Sequence, residues 1–353
     1  MRVVVTGAAG FIGSHVADAF SAAGHEVLAV DAPRRSPTPD LARRTWAEVA
    51  ARPGVVAAEI DLAVHGLDAV AAADVVVHLA GRPGVRDSWG AGRAVAERDN
   101  VLATRRLLAS CMGRPARRRP RVIVASSSSV YGSAGRRPNR EDDPLSPASP
   151  YAVSKVEVER LAGLAARDGL RTVLLRYFSV YGPRQRPDMA FHRFAEAALD
   201  GRPLPVFGDG RRSRSFTHVR DVVAATLVAA AEELPPGIAV NVGHDEPVGV
   251  TDAIGLLTGV LGVRAEIRRE APVAGDAERT WADTSRARRL LGWTATTGLA
   301  EGLTDQIAWH RELRAVSRSG APAERREAAR SSLPGGVGGR PPQDGRAEGV
   351  RVG

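Results

Sequence analysis

Val3-Val-Val-Thr6-Gly7-Ala-Ala-Gly10-Phe11-Ile12-Gly13 runs from three β-branched residues through three spaced glycines into a stretch of helical length, Ser14 to Ala23. The pattern reads as a buried strand, a tight turn and a helix start. Gly7 permits the turn, Gly10 lets backbone approach a pyrophosphate, and Gly13 lets the helix pack closely on the strand. The helix start would offer unpaired N–H groups and a positive dipole end to phosphate. The next apolar run, Glu26 to Val30, ends in Asp31, about 20 residues on, where dinucleotide folds carry their ribose-binding acid. That carboxylate would bind the adenosine ribose hydroxyls and repel a 2′-phosphate, which favours NAD over NADP. Arg34 and Arg35 act against that preference.

Outward from this unit, Val75 to Leu79, Val122 to Ala125 and Thr172 to Arg176 are further short β-branched runs separated by stretches of helical length. Alternation of this kind predicts an α/β fold, a Rossmann-like, doubly wound parallel sheet with helices on both faces. Ligands bind such a sheet at the carboxyl ends of its strands, where Gly81, Ser126 to Ser129 and Tyr177 to Tyr181 would converge. From Gly182 prolines and a Gly208-Asp-Gly210 turn interrupt the pattern. The expected organisation is a cofactor-binding domain over 1–181 and a smaller substrate-binding lobe over 182–314. Residues 315–353, rich in Gly, Pro, Ser, Arg and Glu, read as a disordered basic tail.

Lys155 is the only lysine of the 353 residues, and it stands in Tyr151-Ala-Val-Ser-Lys155. Four residues apart on a helix, the two side chains share a face. An ammonium is a compact point charge, unlike the guanidinium fork, and beside a phenol it favours the tyrosinate. Tyr151 is thereby expected to act as a base near neutrality. Upstream, Ser126 to Ser129 offer hydroxyls that can share a proton with that phenol. Asp61-Leu62 is placed at the adenine edge, and Asn100, a poor helix former in a helical segment, has a hydrogen-bonding duty. Cys111 is the only cysteine, which excludes an internal disulfide, and no apolar run approaches the roughly 20 residues of a membrane helix. The net charge of +9 comes from dispersed arginines without an aromatic-interleaved basic stripe, so nucleic acid is not an expected partner. A cytoplasmic enzyme without a metal is expected.

The set TGAAGFIG, Asp31, Asp61-Leu62, His78-Leu-Ala-Gly81, SSSSVYG, Tyr151-x-x-x-Lys155 and Leu175-Arg-Tyr-Phe-Ser-Val-Tyr-Gly182 resembles the extended short-chain dehydrogenase/reductase family, from Met1 to about His310. Within it the chain resembles NAD-dependent nucleotide-sugar epimerases, and Gly182-Pro-Arg-Gln-Arg-Pro-Asp-Met-Ala-Phe191 is similar to UDP-glucuronate 4-epimerases. The resemblance implies a catalytic set of Ser127, Tyr151 and Lys155. It implies NAD held by Gly7, Gly10, Phe11, Ile12, Gly13, Asp31, Asp61, Leu62, Leu79, Ala80, Gly81, Asn100 and Phe178 with the catalytic pair. It places a UDP-sugar against Arg86, Ser127 to Ser129, Ser179, Met189, Phe207, Arg214 and Arg279, and it implies a homodimer.

The expected chemistry is removal of the sugar 4-hydroxyl proton by Tyr151 as C4 gives hydride to NAD, reorientation of the 4-keto sugar, and return of the hydride to its other face. Related 4,6-dehydratases carry an Asp-Glu pair before Val-Tyr-Gly, and UDP-glucuronate decarboxylases a glutamate at the second position; Ser128 and Ser129 stand there instead. A 4-keto uronate loses carbon dioxide unless its carboxylate is held near the carbonyl plane. Arg184 or Arg186 could hold it by charge-assisted hydrogen bonds, with Arg186 preferred by motif position. UDP-glucose or UDP-N-acetylglucosamine is the alternative substrate. Ser215 replaces an aspartate usual before this Phe, and Pro33-Arg-Arg-Ser-Pro37 replaces a polar turn.

Overall fold

Val3, Val4 and Val5 alternate between two hydrophobic layers: Val3 and Val5 pack with Phe11, Val16 and Phe20 on one side, while Val4 joins Leu107, Val158 and Ala162 on the other. A strand buried on both faces can be apolar throughout, as in a doubly wound sheet. The structure, a computed structural model, describes residues 1–318. The elements run β1 (Arg2–Thr6), α1 (Phe11–Ala22), β2 (Glu26–Asp31), α2 (Pro39–Ala50), β3 (Val55–Glu59), α3 (Asp68–Ala71), β4 (Val75–His78), α4 (Gly92–Ala96), α5 (Ala103–Met112), β5 (Arg121–Ser127), α6 (Pro150–Arg167) and β6 (Thr172–Tyr177). There follow β7 (Val180–Tyr181), α7 (Ala190–Leu199), β8 (Leu204–Phe207), β9 (Ser213–Arg214), β10 (Thr217–His218), α8 (Val219–Ala231), β11 (Ile238–Val242), β12 (Val248–Gly249), α9 (Val250–Leu261), β13 (Ile267–Glu270), β14 (Arg279–Thr280), α10 (Ser285–Leu291) and α11 (Leu299–Arg318).

The seven-stranded sheet has the order β11-β6-β5-β4-β1-β2-β3 and every pairing in it is parallel. Strand order reverses between β1 and β4, so a crevice opens at their carboxyl ends. The Rossmann-like expectation holds, with one change of organisation. β11 and α8 come from beyond Gly182, and α8 packs on the β-sheet face occupied by α1 through Val222, Val223 and Ala225. Layers and chain order therefore do not divide at residue 181. The segments that leave the sheet build a separate small core in which Tyr181, Phe191, Phe194, Leu204, Leu257 and Leu303 meet.

Met1–His310 pack as one unit, and residues from Arg311 fall in a second, whose described part is the end of α11. That helix reaches Arg318, so the proposed tail does not begin at 315; the rest of 315–353 lies outside the described residues. Among the described residues no helix is long and apolar enough to cross a membrane. On α7, the His192 and Glu196 side chains approach His310 of α11. His192 Nδ1 lies 2.7 Å from the Gln185 carbonyl, which ties α7 to the 182–189 loop, and His310 Nδ1 lies 2.7 Å from Glu196, which ties α11 to α7.

Gly7 adopts φ +76°, and a Cβ there would come within 2.7 Å of the Ala80 amide nitrogen. Strained backbone and a collision with backbone have no cheap relief. Gly7→Ala is expected to lower folding stability by about 2 kcal/mol and to weaken NAD binding; thermal unfolding and NAD titration check this, and an unchanged midpoint with unchanged affinity would contradict it.

Candidate active site

The crevice is a cleft of about 590 Å³ lined by the glycine turn, the ends of β2, β4 and β5, the start of α6, and loops of the small lobe. At its dinucleotide end α1 begins after Gly10, which supplies no side-chain cap, and its first turn carries no acid. The terminal N–H groups are thus left for an anion. The Asp31 carboxylate accepts the Ala9 N–H at 2.8 Å and the Ala32 N–H at 2.7 Å. Burial pushes its pKa up, and those two amides oppose the rise. Asp61 is held by Arg98 at 2.5 Å and Arg35 at 3.4 Å. Burial raises its pKa, but the Arg98 hydrogen bond, the Ala63 amide and both arginine charges bring it below the usual value. Arg35 also faces Asp99 at 3.6 Å, so this arginine is already engaged by carboxylates. Leu62, Leu79, Ala80 and Gly81 line the cleft with Phe11 and Ile12.

At the catalytic end, β5 delivers Ser126 and Ser127 and a following turn carries Ser128 and Ser129. The Ser127 hydroxyl accepts the Ser129 N–H at 3.1 Å and hydrogen-bonds Tyr151. Ser149 caps α6 by accepting the Ala152 N–H, with Pro150 next, a sequence suited to a helix start. This start aims Tyr151 and Lys155 into the cleft together. Lys155 Nζ donates to the Ala125 carbonyl at 2.9 Å and stands 6.0 Å from the Tyr151 ring centroid. Ser129 Oγ is buried without a hydrogen-bond partner among the described residues, an orphan hydroxyl on the cleft wall.

The electrostatics correct one expectation. Burial raises the Tyr151 pKa, against the Ser127 hydrogen bond and the Arg186 charge, and Lys155 is not among the groups acting on it. Lys155 itself is pushed down to about 8 by burial, with Glu159 opposing. His78 is lowered to about 3 by burial and the Lys155 charge, and it sits between Thr6 and Thr104 hydroxyls, each at 2.9 Å, as a neutral imidazole. Since Lys155 titrates near 8, turnover is expected to fall as pH rises through that value and the ammonium is lost. A pH profile of kcat checks this, and a plateau sustained to pH about 10 would contradict it.

Four predicted site residues lie elsewhere. Arg184 adopts φ +63°, which turns its side chain away to Asp18 at 2.9 Å and Glu48 at 3.4 Å; it braces α1 and α2. Arg186 does line the cleft. Phe178 is buried against Tyr131 and Ala282, behind the wall that Tyr177, Ser179 and Val180 present. Asn100 sits in a π-helical turn and is buried. Its Oδ1 accepts the Arg82 N–H at 2.6 Å and its Nδ2 donates to Ser154 Oγ at 2.9 Å. It fixes the loop after β4 to α6 without reaching the cleft. Arg279 is exposed and turned toward the Gly135 carbonyl, because β14 directs Thr280 inward instead.

The small lobe supplies the remaining wall. Arg86 and Arg193 lie 4.8 and 4.9 Å from the Phe207 ring centroid. Arg212 and Arg214 reach Asp276 at 2.6 and 2.8 Å, and Arg186 holds Asp188 through Nε at 3.0 Å and Nη2 at 2.8 Å. Arg193, Arg212, Asp188 and Asp276 escaped the sequence reading. One signal was present, since Arg193 is the lone arginine of Ala-Phe-His-Arg-Phe-Ala-Glu-Ala-Ala-Leu. Ser215 is fully buried and accepts the Ala282 N–H at 3.1 Å, so its hydroxyl fastens the strand beside Arg214. Met189 and Ser179 also line the cleft.

With this geometry in view, comparison with known proteins is specific. The model of the NAD dependent epimerase/dehydratase family matches residues 3–243. The chain belongs to this family. Among curated members it is 31% identical over 318 residues to a UDP-glucuronate 4-epimerase of Thermodesulfobacterium geofontis, covering 88% of this chain and 96% of that one. It is 37% identical over 321 residues to an uncharacterized UDP-glucose epimerase, YtcB, of Bacillus subtilis, covering 88% and 98%. The Bacillus cereus UDP-glucuronic acid 4-epimerase, solved in complex with UDP-glucuronic acid and NAD, superposes with a TM-score of 0.84 at 35% identity, covering 89% of this chain and 100% of that one.

Proposed function

We propose that this epimerase-family protein is an NAD-dependent UDP-glucuronate 4-epimerase, forming UDP-galacturonate. The observation that carries the reading is the shared cleft wall of Tyr151, Ser127 to Ser129 and Arg186, a proton-transfer pair beside donors for a sugar carboxylate. No acid stands at positions 128 and 129 to drive elimination or decarboxylation.

NAD fits the dinucleotide end: the glycine turn and uncapped α1 suit its pyrophosphate, Asp31 a ribose and Asp61-Leu62 the adenine edge. When bound, NAD would supply a reversible hydride acceptor for sugar C4. Tyr151 takes the 4-hydroxyl proton as hydride leaves and gives it back on return. Ser127, already hydrogen-bonded to the phenol, shares that proton, and Lys155 keeps its ammonium beside the ring, 6.0 Å from the centroid. Phe207 offers a face for uracil, and Arg86, Arg193, Arg212 and Arg214 suit the diphosphate oxygens. Arg186 and the orphan Ser129 hydroxyl hold the carboxylate near the carbonyl plane, which keeps the 4-keto intermediate from losing carbon dioxide.

A neutral substrate, UDP-glucose, is the second reading, favoured by one observation. Asp188 already occupies two donors of Arg186. Incubation with each nucleotide sugar separately, products resolved by proton NMR, decides: UDP-galacturonate supports the first reading, UDP-galactose alone the second, and a UDP-pentose would sink the retention of the carboxylate.

We further place the enzyme in the cytoplasm as a homodimer. Val153 and Leu164 of α6 are apolar and 52% and 42% exposed, which supports pairing through this helix. Sedimentation velocity showing only monomer at micromolar concentration would end that proposal.

A further inference from the structure

Behind the catalytic strand end lies a buried charged network that the chemistry above leaves unused. Glu159 Oε1 accepts from Ser126 Oγ at 2.5 Å and from Arg176 Nε at 2.8 Å, and Oε2 accepts from Arg176 Nη2 at 2.7 Å. Arg176 spends Nη1 on the Tyr131 hydroxyl at 2.7 Å and the Glu141 carbonyl at 3.0 Å, and the phenol donates to Asn241 at 2.7 Å. Arg176 and Glu159 are 4% and 8% exposed. A buried ion pair is a costly way to fill a core, since apolar residues of similar volume stabilise as well or better. What the pair provides is a fixed charge beside a titrating one.

Glu159 follows Lys155 by one helical turn on the same face of α6. Lys155 also reaches the carbonyl of Ala125, next to the Ser126 that Glu159 accepts from. The ionisable groups around Lys155 are Tyr151 on its own helix, His78 from β4, neutral in its threonine pair, and Glu159, with Arg176 of β6 behind the carboxylate. Arg186 acts on Tyr151 from the small lobe. Glu159 is the anion of this set.

We propose that Glu159 is a positioning residue for Lys155: its carboxylate, locked by Arg176 and Ser126, keeps the ammonium protonated over the Tyr151 ring. Arg176 grips both carboxylate oxygens of Glu159, through Nε at 2.8 Å and Nη2 at 2.7 Å, which fixes where the carboxylate stands. The Glu159 charge acts on Lys155 against burial, and Glu159 lies one helical turn along the same face of α6. The functional meaning rests on the Tyr151–Lys155 reading, but the electrostatic claim needs no substrate.

The chain's single lysine makes the test direct. Full-length protein labelled with 13C at lysine Cε gives one resonance, whose shift with pH reads Lys155 protonation. The parent midpoint is expected near 8, and Glu159→Gln is expected to lower it by about one unit, a tenfold loss of ammonium at fixed pH above the midpoint. Glu159→Asp, which keeps the charge, is expected to restore most of the shift. Should Glu159→Gln fail to fold, Glu159→Gln with Arg176→Met removes both charges, and a smaller downward shift is expected because the opposing guanidinium charge is gone as well. A midpoint equal to the parent's in a folded Gln variant, or no recovery with Asp, overturns the proposal. UDP-glucuronate turnover is assayed separately, so an inactive protein with the predicted titration would overturn the substrate reading and leave this one standing.

Discussion

Tyr151→Phe is expected to lower epimerisation by about 10³-fold while leaving the affinity for NAD and UDP within about twofold. In the proposed mechanism the phenol oxygen takes the 4-hydroxyl proton, while Ser127 hydrogen-bonds it and Lys155 is directed to the Ala125 carbonyl and the ring. Removing only that oxygen leaves the ring packed and the cleft shape intact. The residual rate then comes from positioning and from Ser127 alone. Burial raises the Tyr151 pKa, against the Ser127 hydrogen bond and the Arg186 charge. Single-turnover measurement of hydride transfer, with parallel NAD and UDP titrations, checks the claim. A loss below about tenfold would remove Tyr151 from the base role, since general acid–base catalysis contributes 10²–10⁴-fold.

The second large effect concerns the carboxylate. Arg186→Leu is expected to reduce kcat/KM for UDP-glucuronate by about 10²-fold, the worth of a charge-assisted contact of roughly 3 kcal/mol, with a far smaller change for UDP-glucose. Asp188 competes for the same guanidinium through two hydrogen bonds. Asp188→Asn keeps one acceptor and removes the competing charge, so it is expected to raise the ratio of uronate to neutral-sugar turnover by about tenfold. Kinetics with both substrates on both variants check this. Equal losses for the two sugars in Arg186→Leu would assign Arg186 to the diphosphate.

The dinucleotide half was legible because its signals are local. Val3 to Gly13 specify strand, turn and helix within one window, and Asp31 ends the adjacent strand. The Tyr151–Lys155 pair was legible for the same reason, four positions on one helix. The seventh strand, Ile238–Val242, was not, because its identity lies in pairing with β6 across more than sixty residues. Arg184 and Arg186 are inseparable by spacing; a left-handed backbone at Arg184 sends the two in different directions. The carboxylates that occupy the site's arginines, Asp188 and Asp276, come from loops whose course no periodicity encodes. Phe178 and Asn100 sit on the right segments but one layer behind the cleft, and pattern reports the segment and not the layer. The direction of the Tyr151 pKa depends on burial, which adjacency to a lysine does not reveal.

The central claim is that one cofactor, kept by the protein, removes a hydride from C4 and returns it to the opposite face. UDP-glucuronate carrying deuterium at C4, incubated with the purified protein in ordinary water without added NAD, tests it directly. UDP-galacturonate that retains the deuterium at C4 is the expected product. Product with hydrogen from solvent at C4, or a UDP-pentose in its place, would contradict it.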